Sequence, residues 1–336
     1  MNFWRAAIAL CSIMLMASCA FVGTNQYPLS SAYPRFDDIL PHLNELAAKY
    51  PAVMKHRIIG FSTAENLPIY AAELGKGKRN ILIIGQHHAD EVLGLAISMY
   101  MIEQLSREYF ENKSIHALLD EYSIWIVPTL NPEGYRLVSS GQSRIKRKNN
   151  RDTDGNGKLD IRSDGVDLNR NYPIFWDLDP EIDHMSSFYK GDAPASEEEI
   201  KAIIALSRRV FFEFAIFYHS SLTGELSERI FLPAISDETD KYSLLQKQAK
   251  LYAKNVERDY HSGTYTIHTG ISSQVGNARN FFYHSVGTSA MLIEVGGVDQ
   301  KGKSIIHPTD RMVKSINKRH LKAFVKLLDY MSKIST

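Results

Sequence analysis

The chain has 336 residues, 44% of them hydrophobic and 23% charged, with a formal net charge of +1 at pH 7. That is enough apolar material for one large core, and nothing in the composition suggests disorder or a repeat array. A near-neutral balance also gives no footing for nucleic acid as a partner, because such binding rests on an excess of Lys and Arg.

The first residues stand apart from the rest. Arg5 is followed by an apolar run from Ala6 to Met16, too short for a stable membrane span, and then by Met16-Ala17-Ser18-Cys19. This is the pattern of an export signal over residues 1–18. Small residues before a cysteine resemble the bacterial lipobox, in which Cys19 is lipidated and becomes the mature N-terminus. Ordinary cleavage near Ser18-Cys19-Ala20 is the alternative. Cys11 leaves with the signal, so lipidation accounts for the one remaining thiol. The expected address is the periplasmic face of a bacterial membrane, with Cys19 as the only membrane attachment, or the periplasm or exterior if cleavage is ordinary. Residues 19–32 read as a linker and 33–334 as the folded, catalytic unit.

Within that unit, residues 36–50 read as a helix stopped by Pro51, and 56–60 and 68–73 as short strands around a turn. Residues 80–85, 122–127, 212–218 and 289–295 are different in kind. They are short, almost continuously apolar and rich in Ile, Val and aromatics, as strands buried on both faces are. Residues 92–109, 196–210, 241–260 and 310–334 read as helices between and after them. The alternation predicts a single α/β domain: a mixed, mostly parallel twisted sheet with helices on both faces. In such sheets the site lies at the carboxyl ends of the strands.

His88 and Glu91 follow the first of the four buried strands, three residues apart, so that both can face one small cation. The pair alone means little, because chance supplies about one such spacing in a chain of this composition, and His42 and Glu45 repeat it inside an amphipathic helix. What distinguishes His88 and Glu91 is their company. Asn131 follows the second buried strand and His219 the third, and Glu294 stands near the end of the fourth. His219 completes a two-His, one-Glu set that leaves a coordination position for water, and its distance in sequence suits a catalytic rather than a zinc-finger site.

In these residues the sequence resembles the zinc carboxypeptidase family, the carboxypeptidase A-like metallopeptidases, from about Tyr33 to the last helix. His88-Ala89-Asp90-Glu91 and His219-Ser220 match the family's zinc motifs, and Asn131-Pro132-Glu133-Gly134-Tyr135 its turn after the second strand. The resemblance implies one Zn²⁺ on His88, Glu91 and His219, Glu294 as general base, and Arg147 polarising the scissile carbonyl. It implies Asn169 and Arg170 of Gly165-Val166-Asp167-Leu168-Asn169-Arg170-Asn171-Tyr172 as anchors for the free C-terminal carboxylate of a peptide. Arg279 falls on the floor of the specificity pocket, where it would favour acidic C-terminal residues, and Tyr283 matches a structural tyrosine of the substrate-binding region. Ser272 stands where the family's capping tyrosine is expected, so either that role is missing or a loop of different length delivers Tyr265 or His268. Asp152, Asp154, Asn156 and Asp160, with Gly157 at the sixth position, resemble a calcium loop, although Ser163 replaces the usual Glu at the twelfth; a plain Asp/Gly turn is the alternative. The basic stretch from Arg144 to Arg151 would, by itself, read as a solvated loop. Two rival functions remain: a hydrolase of cell-wall peptides with the same fold, and a non-catalytic binding lipoprotein.

Overall fold

In this computed structural model, which describes residues 28–268 and 273–334, the chain begins with helix α1 (Phe36–Lys49). Ile39, Leu43 and Leu46 make its buried side. Strands β1 (Met54–Phe61) and β2 (Pro68–Gly75) form a hairpin, followed by β3 (Arg79–Ile84). Helices α2 (Val92–Glu111) and α3 (Lys113–Glu121) lead to β4 (Tyr122–Val127), and α4 (Pro132–Ser139) follows it. A long irregular segment then reaches α5 (Glu198–Arg209) and β5 (Phe212–His219). The remainder is β6 (Arg229–Phe231), α6 (Asp240–Lys254), β7 (Thr266–Ile267), the single turn α7 (Ala278–Phe281), β8 (Ser289–Glu294) and α8 (Asp310–Ile334).

The eight strands form one sheet in the order β1-β2-β4-β3-β5-β8-β6-β7. β3 pairs in parallel with β4 and β5, β5 with β8, and β6 with β7; the β1–β2, β2–β4 and β6–β8 pairs are antiparallel. The parallel centre has no solvent face, which is why every residue of β4 is buried and β5 has only Glu213 part-exposed. One face packs against α2, α6 and α8 around Ile81, Ile83, Ile216 and Met291, and the other against α5 and α7 around Leu82, Ile84, Phe217 and Leu292. Helix α2 is buried on nearly all sides because α8 covers it from outside, so its sequence carries no clear polar stripe.

The sequence reading located the long elements within a few residues and missed the small ones. β6 and β7 have three and two residues, and α4 eight, so none offers enough periods to register as a pattern. The expected helix over 241–260 ends at Lys254. Asn255 caps it, and the chain turns to bring Tyr265 into the core. The expected export segment, Cys19, residues 19–27 of the linker and Ser272 lie outside the described residues.

Candidate active site

The sheet order reverses at β3: its successor β4 lies on one side and β5 on the other, so the carboxyl ends of β3 and β5 open into a crevice. Residues 85–91 make the turn from β3 into α2. This turn requires an unusually close helix–strand approach, since a Cβ on Gly94 would lie 1.9 Å from the Gly85 carbonyl oxygen. Gln86 Nε2 donates to the Ala89 carbonyl at 2.9 Å and braces the turn from within. Asn131, at the N-cap of α4, braces it from outside. Its Oδ1 accepts from Gly134 N at 3.0 Å, and its Nδ2 donates at 3.2 Å to the carbonyls of His87 and Arg147.

His88 and Glu91 project from this turn and meet His219, the last residue of β5. His88 Nδ1 lies 2.9 Å from Glu91 Oε1 and 3.1 Å from His219 Nδ1, which itself lies 2.9 Å from Glu91 Oε2. All three residues are buried, and one ligand atom from each lies within 4.8 Å of the others. The set fits a tetrahedral divalent cation, whose bonds of about 2.0–2.1 Å hold ligand atoms roughly 3.3 Å apart. The far side of His88 is also occupied: Nε2 lies 2.9 Å from Asp167 Oδ1, the carboxylate–imidazole support that metal-binding histidines commonly have.

Charge is closely balanced around the cluster. Arg147 donates through Nε and Nη2 to Asp167 Oδ2 at 3.2 and 2.9 Å and through Nη1 to Glu91 Oε1 at 3.2 Å. Burial alone would push the Asp167 carboxyl up, but Arg147, His88 and Arg170 together hold it well below the ordinary carboxylate range. Burial and Arg147 oppose a proton on His88, yet Glu91 and Asp167 outweigh them and raise the ring to about 9. His219 goes the other way: burial lowers it to about 4. Hence His219 is the ring that burial keeps neutral, the form in which an imidazole binds a cation.

A cleft of about 340 Å³ opens in front of the cluster, lined by Arg147, Asn169, Arg170, Arg279 and Glu294 with Phe188, Phe231, His268 and Leu292 as wall. Glu294 sits opposite His219 in the β5–β8 register. Its Oε2 is buried with no hydrogen-bond partner among the described residues, and burial followed by the charge of Glu91 raises the carboxyl to about 8. Arg279 is buried in the same cleft, where desolvation and then the neighbouring charge of Arg170 lower its guanidinium to about 10. Asn169 Oδ1 accepts from Ala278 N at 3.0 Å, and its Nδ2 lies 3.3 Å from His219 Nε2.

The basic stretch is not a solvated loop. Lys146 and Lys148 turn inward, their Nζ atoms donating to the carbonyls of Asp164 and of Ser163 and His184, while Arg147 between them faces the cleft. Alternate side chains thus bury in opposite directions, and the lysines pin the strip that carries the arginine. Two expectations need correction. Tyr283 does not line the cleft: it packs beside α6, with its hydroxyl 3.3 Å from Thr239 Oγ1 and its ring under Lys241 Nζ. Nor do Asp152, Asp154, Asn156 and Asp160 converge. Asp152 and Asp154 come together with Asp164 instead. Asp152 accepts from the Gly155 and Gly157 amides, Asp154 from Asn156, and Asp160 from Arg162 and Ser163. The alternative, an Asp/Gly turn held by its own amides, accounts for that geometry. Of the two residues considered for the capping role, Tyr265 is in the core against His320, whereas His268 lines the cleft, stacked on Phe231.

Two contributors went unassigned in the sequence. Asp167 lies inside a quoted motif, but nothing local says that its carboxylate reaches residues 20 and 79 positions away. Phe188 has no motif at all, and its place between Arg147 and Arg170 is purely tertiary.

A family model described as zinc carboxypeptidase matches residues 39–321. Mast cell carboxypeptidase A of Mus musculus is 31% identical over 175 residues, covering 51% of this chain and 40% of that protein. Metallocarboxypeptidase A of Arthroderma otae is 31% identical over 186 residues, covering 53% and 42%. The aligned region therefore spans less than half the length of these curated relatives. Among solved structures, bovine thrombin-activatable fibrinolysis inhibitor in complex with tick carboxypeptidase inhibitor superposes with a TM-score of 0.74 at 23% identity, covering 90% of this chain and 98% of that one. At that identity the likeness speaks for the fold.

Proposed function

The chain belongs to the zinc carboxypeptidase family, and on that footing we propose that it is a zinc-dependent metallocarboxypeptidase that removes C-terminal residues from peptides. One observation carries the reading: the ligand atoms of His88, Glu91 and His219, the carboxylate of Glu294 and the guanidinium groups of Arg147 and Arg170 all face one cleft.

His88, Glu91 and His219 would hold the zinc, which would supply an acidified water at neutral pH. Glu294, with an unpartnered Oε2, would take the proton of the attacking water once the cation's charge offsets the burial and the Glu91 charge that raise its carboxyl, and would return that proton to the leaving amine. Arg147, fixed from behind by Asp167, meets the negative charge that develops on the scissile carbonyl oxygen, an interaction worth about 3 kcal/mol in comparable donor deletions. Arg170 binds the terminal carboxylate with parallel hydrogen bonds, which restricts the enzyme to chain ends. Were His219 to hold the cation through Nδ1, its ring proton would lie on Nε2, which would then not accept from Asn169. The Asn169 amide is then free for the substrate carboxylate. The test is release of free amino acid from peptides with a free terminal carboxylate but not from the same peptides amidated. Equal cleavage of both would sink the exopeptidase reading.

Arg279 supports a preference for acidic C-terminal residues. A guanidinium in a dry pocket gains from an incoming carboxylate by roughly 1.5–3 kcal/mol, about 10- to 150-fold in kcat/KM. Peptides ending in Glu, Phe and Lys, compared on the parent and on Arg279→Ile, test this; a parent that prefers Phe or Lys removes it. The same charge suits acidic groups in wall peptides, so purified wall peptides belong in the panel as the rival substrate. Export and lipidation at Cys19 rest on the N-terminal sequence alone, and metabolic labelling of the parent and of Cys19→Ala with palmitate tests them.

A further inference from the structure

Three guanidinium groups share the cleft, and they differ in how they are held. Arg147 pairs with Asp167 and Glu91, and Arg279 lies in the field of Glu294. Arg170 makes no ion pair among the described residues, although its charge reaches Asp167, and its one side-chain hydrogen bond there is from Nη1 to the Asn169 carbonyl at 2.9 Å. It also shares the cleft wall with a like charge, Arg279. Something else must hold it. The ring of Phe188, an aromatic that remains 51% exposed, lies 5.6 Å from the Arg170 guanidinium carbon and 5.2 Å from that of Arg147. An exposed phenylalanine between two cations has the electrostatics of a cation–π bracket, because the negative face of the ring attracts both. Phe188 is also the one residue common to the walls of the catalytic cleft, of a cavity beside it bounded by Arg170, Asp179 and Glu181, and of a second bounded by Arg147, Asp90 and Leu222. A ring so placed does more than cover a core.

We propose that Phe188 is a positioning residue that holds Arg170 over the cleft for the substrate's terminal carboxylate. The inference rests on the carboxypeptidase reading and assigns to that site a part that no motif in the chain marks. Because Arg147 is already fixed by Asp167, loss of the ring is felt mainly at Arg170. The effect is therefore on binding of the carboxylate rather than on the chemical step.

The test uses the zinc-loaded full chain and one blocked dipeptide with a free carboxylate, with Phe188 replaced by Leu, Tyr and Trp. Phe188→Leu should raise KM about 2- to 5-fold and leave kcat within about 1.5-fold. Zinc stoichiometry should stay at parent level. Tyr and Trp, which restore a ring face, should return KM to near the parent value, whereas an apolar cover would be satisfied by Leu. A Phe188→Leu enzyme with parental KM, or one whose KM matches that of Phe188→Trp, overturns the assignment. So does an equal fall in kcat across all three variants. Equilibrium binding of the same dipeptide to Glu294→Gln, with and without Phe188→Leu, separates this inference from the reading beneath it. If the parent hydrolyses nothing, the function fails, yet a dissociation constant about 2- to 5-fold higher with Leu still upholds the bracket, and an unchanged one removes it.

Discussion

Two groups of acidic and metal-ligating side chains gather within the described residues, and they differ in almost every physical respect. His88, Glu91 and His219 are buried, come from two separate parts of the chain, and stand at the switch point of the sheet. Asp152, Asp154 and Asp164 belong to one loop, two of them exposed, and their carboxylates accept from amides of that same loop. The first group sets two imidazole Nδ1 atoms 3.1 Å apart, each 2.9 Å from an oxygen of the same carboxylate and away from solvent. The second is self-satisfied. Proximity of ligands is thus a weak sign of a cation site, and burial of imidazole and carboxylate ligands drawn from separate parts of the chain is a stronger one.

The sharpest break is His219→Ala. It should take bound zinc from one per chain to none and activity with it; stoichiometric zinc in that variant would dismantle the ligand set. Glu294→Gln comes next, with zinc and melting temperature at parent level and kcat lower by about 10²- to 10⁴-fold. Near-normal turnover would place the base elsewhere.

A third experiment asks whether buried acids differ from the loop acids in their response to pH. Glu199 is buried near Glu133, and burial first, then Glu133, raise its carboxyl to about 8. A carboxyl raised in the folded state favours folding while protonated, so this contribution is complete below its unfolded value and is lost as pH rises through about 8. Asp152 and Asp160 are lowered by backbone hydrogen bonds, so their smaller contribution is lost as pH falls instead. Between pH 7 and 9 the melting temperature of the parent should fall about 2–5 °C more than that of Glu199→Gln. Parallel curves would mean that Glu199 ionises freely.

The smallest effect is expected in the loop. With zinc held constant, Asp154→Ala or a calcium chelator should move the melting temperature by less than about 2 °C. A calcium-dependent rise of several degrees that Asp154→Ala abolishes would turn the self-satisfied loop into a second cation site and erase the contrast.

The sequence carried its strongest information in short apolar runs. β3, β4, β5 and β8 were visible because a strand buried on both faces must be apolar throughout, and the polar residue that ends each run marks the sheet's carboxyl edge. Glu133 shows what such reading leaves out. Part of a quoted motif, it is fully buried and accepts from the amides of Ala64, Glu65 and Asn150, tying the β1–β2 turn to the strip that carries Arg147. A carboxylate's remote partners leave no periodic trace.

The two His-x-x-Glu pairs mark the division most plainly. Local sequence determines that His42 faces Glu45 and that His88 faces Glu91, since three residues of helix or turn put both side chains on one side. In α1 that pair stays on the surface, 4.0 Å apart, with side chains 36% and 71% exposed, and water meets every demand the two make. At 88 and 91 the parallel pairing of β3 with β5 brings in His219 from 128 positions away and excludes solvent, so the same two side chains become part of a set that can hold a cation. Spacing is a property of the chain; desolvation and the third ligand belong to the sheet.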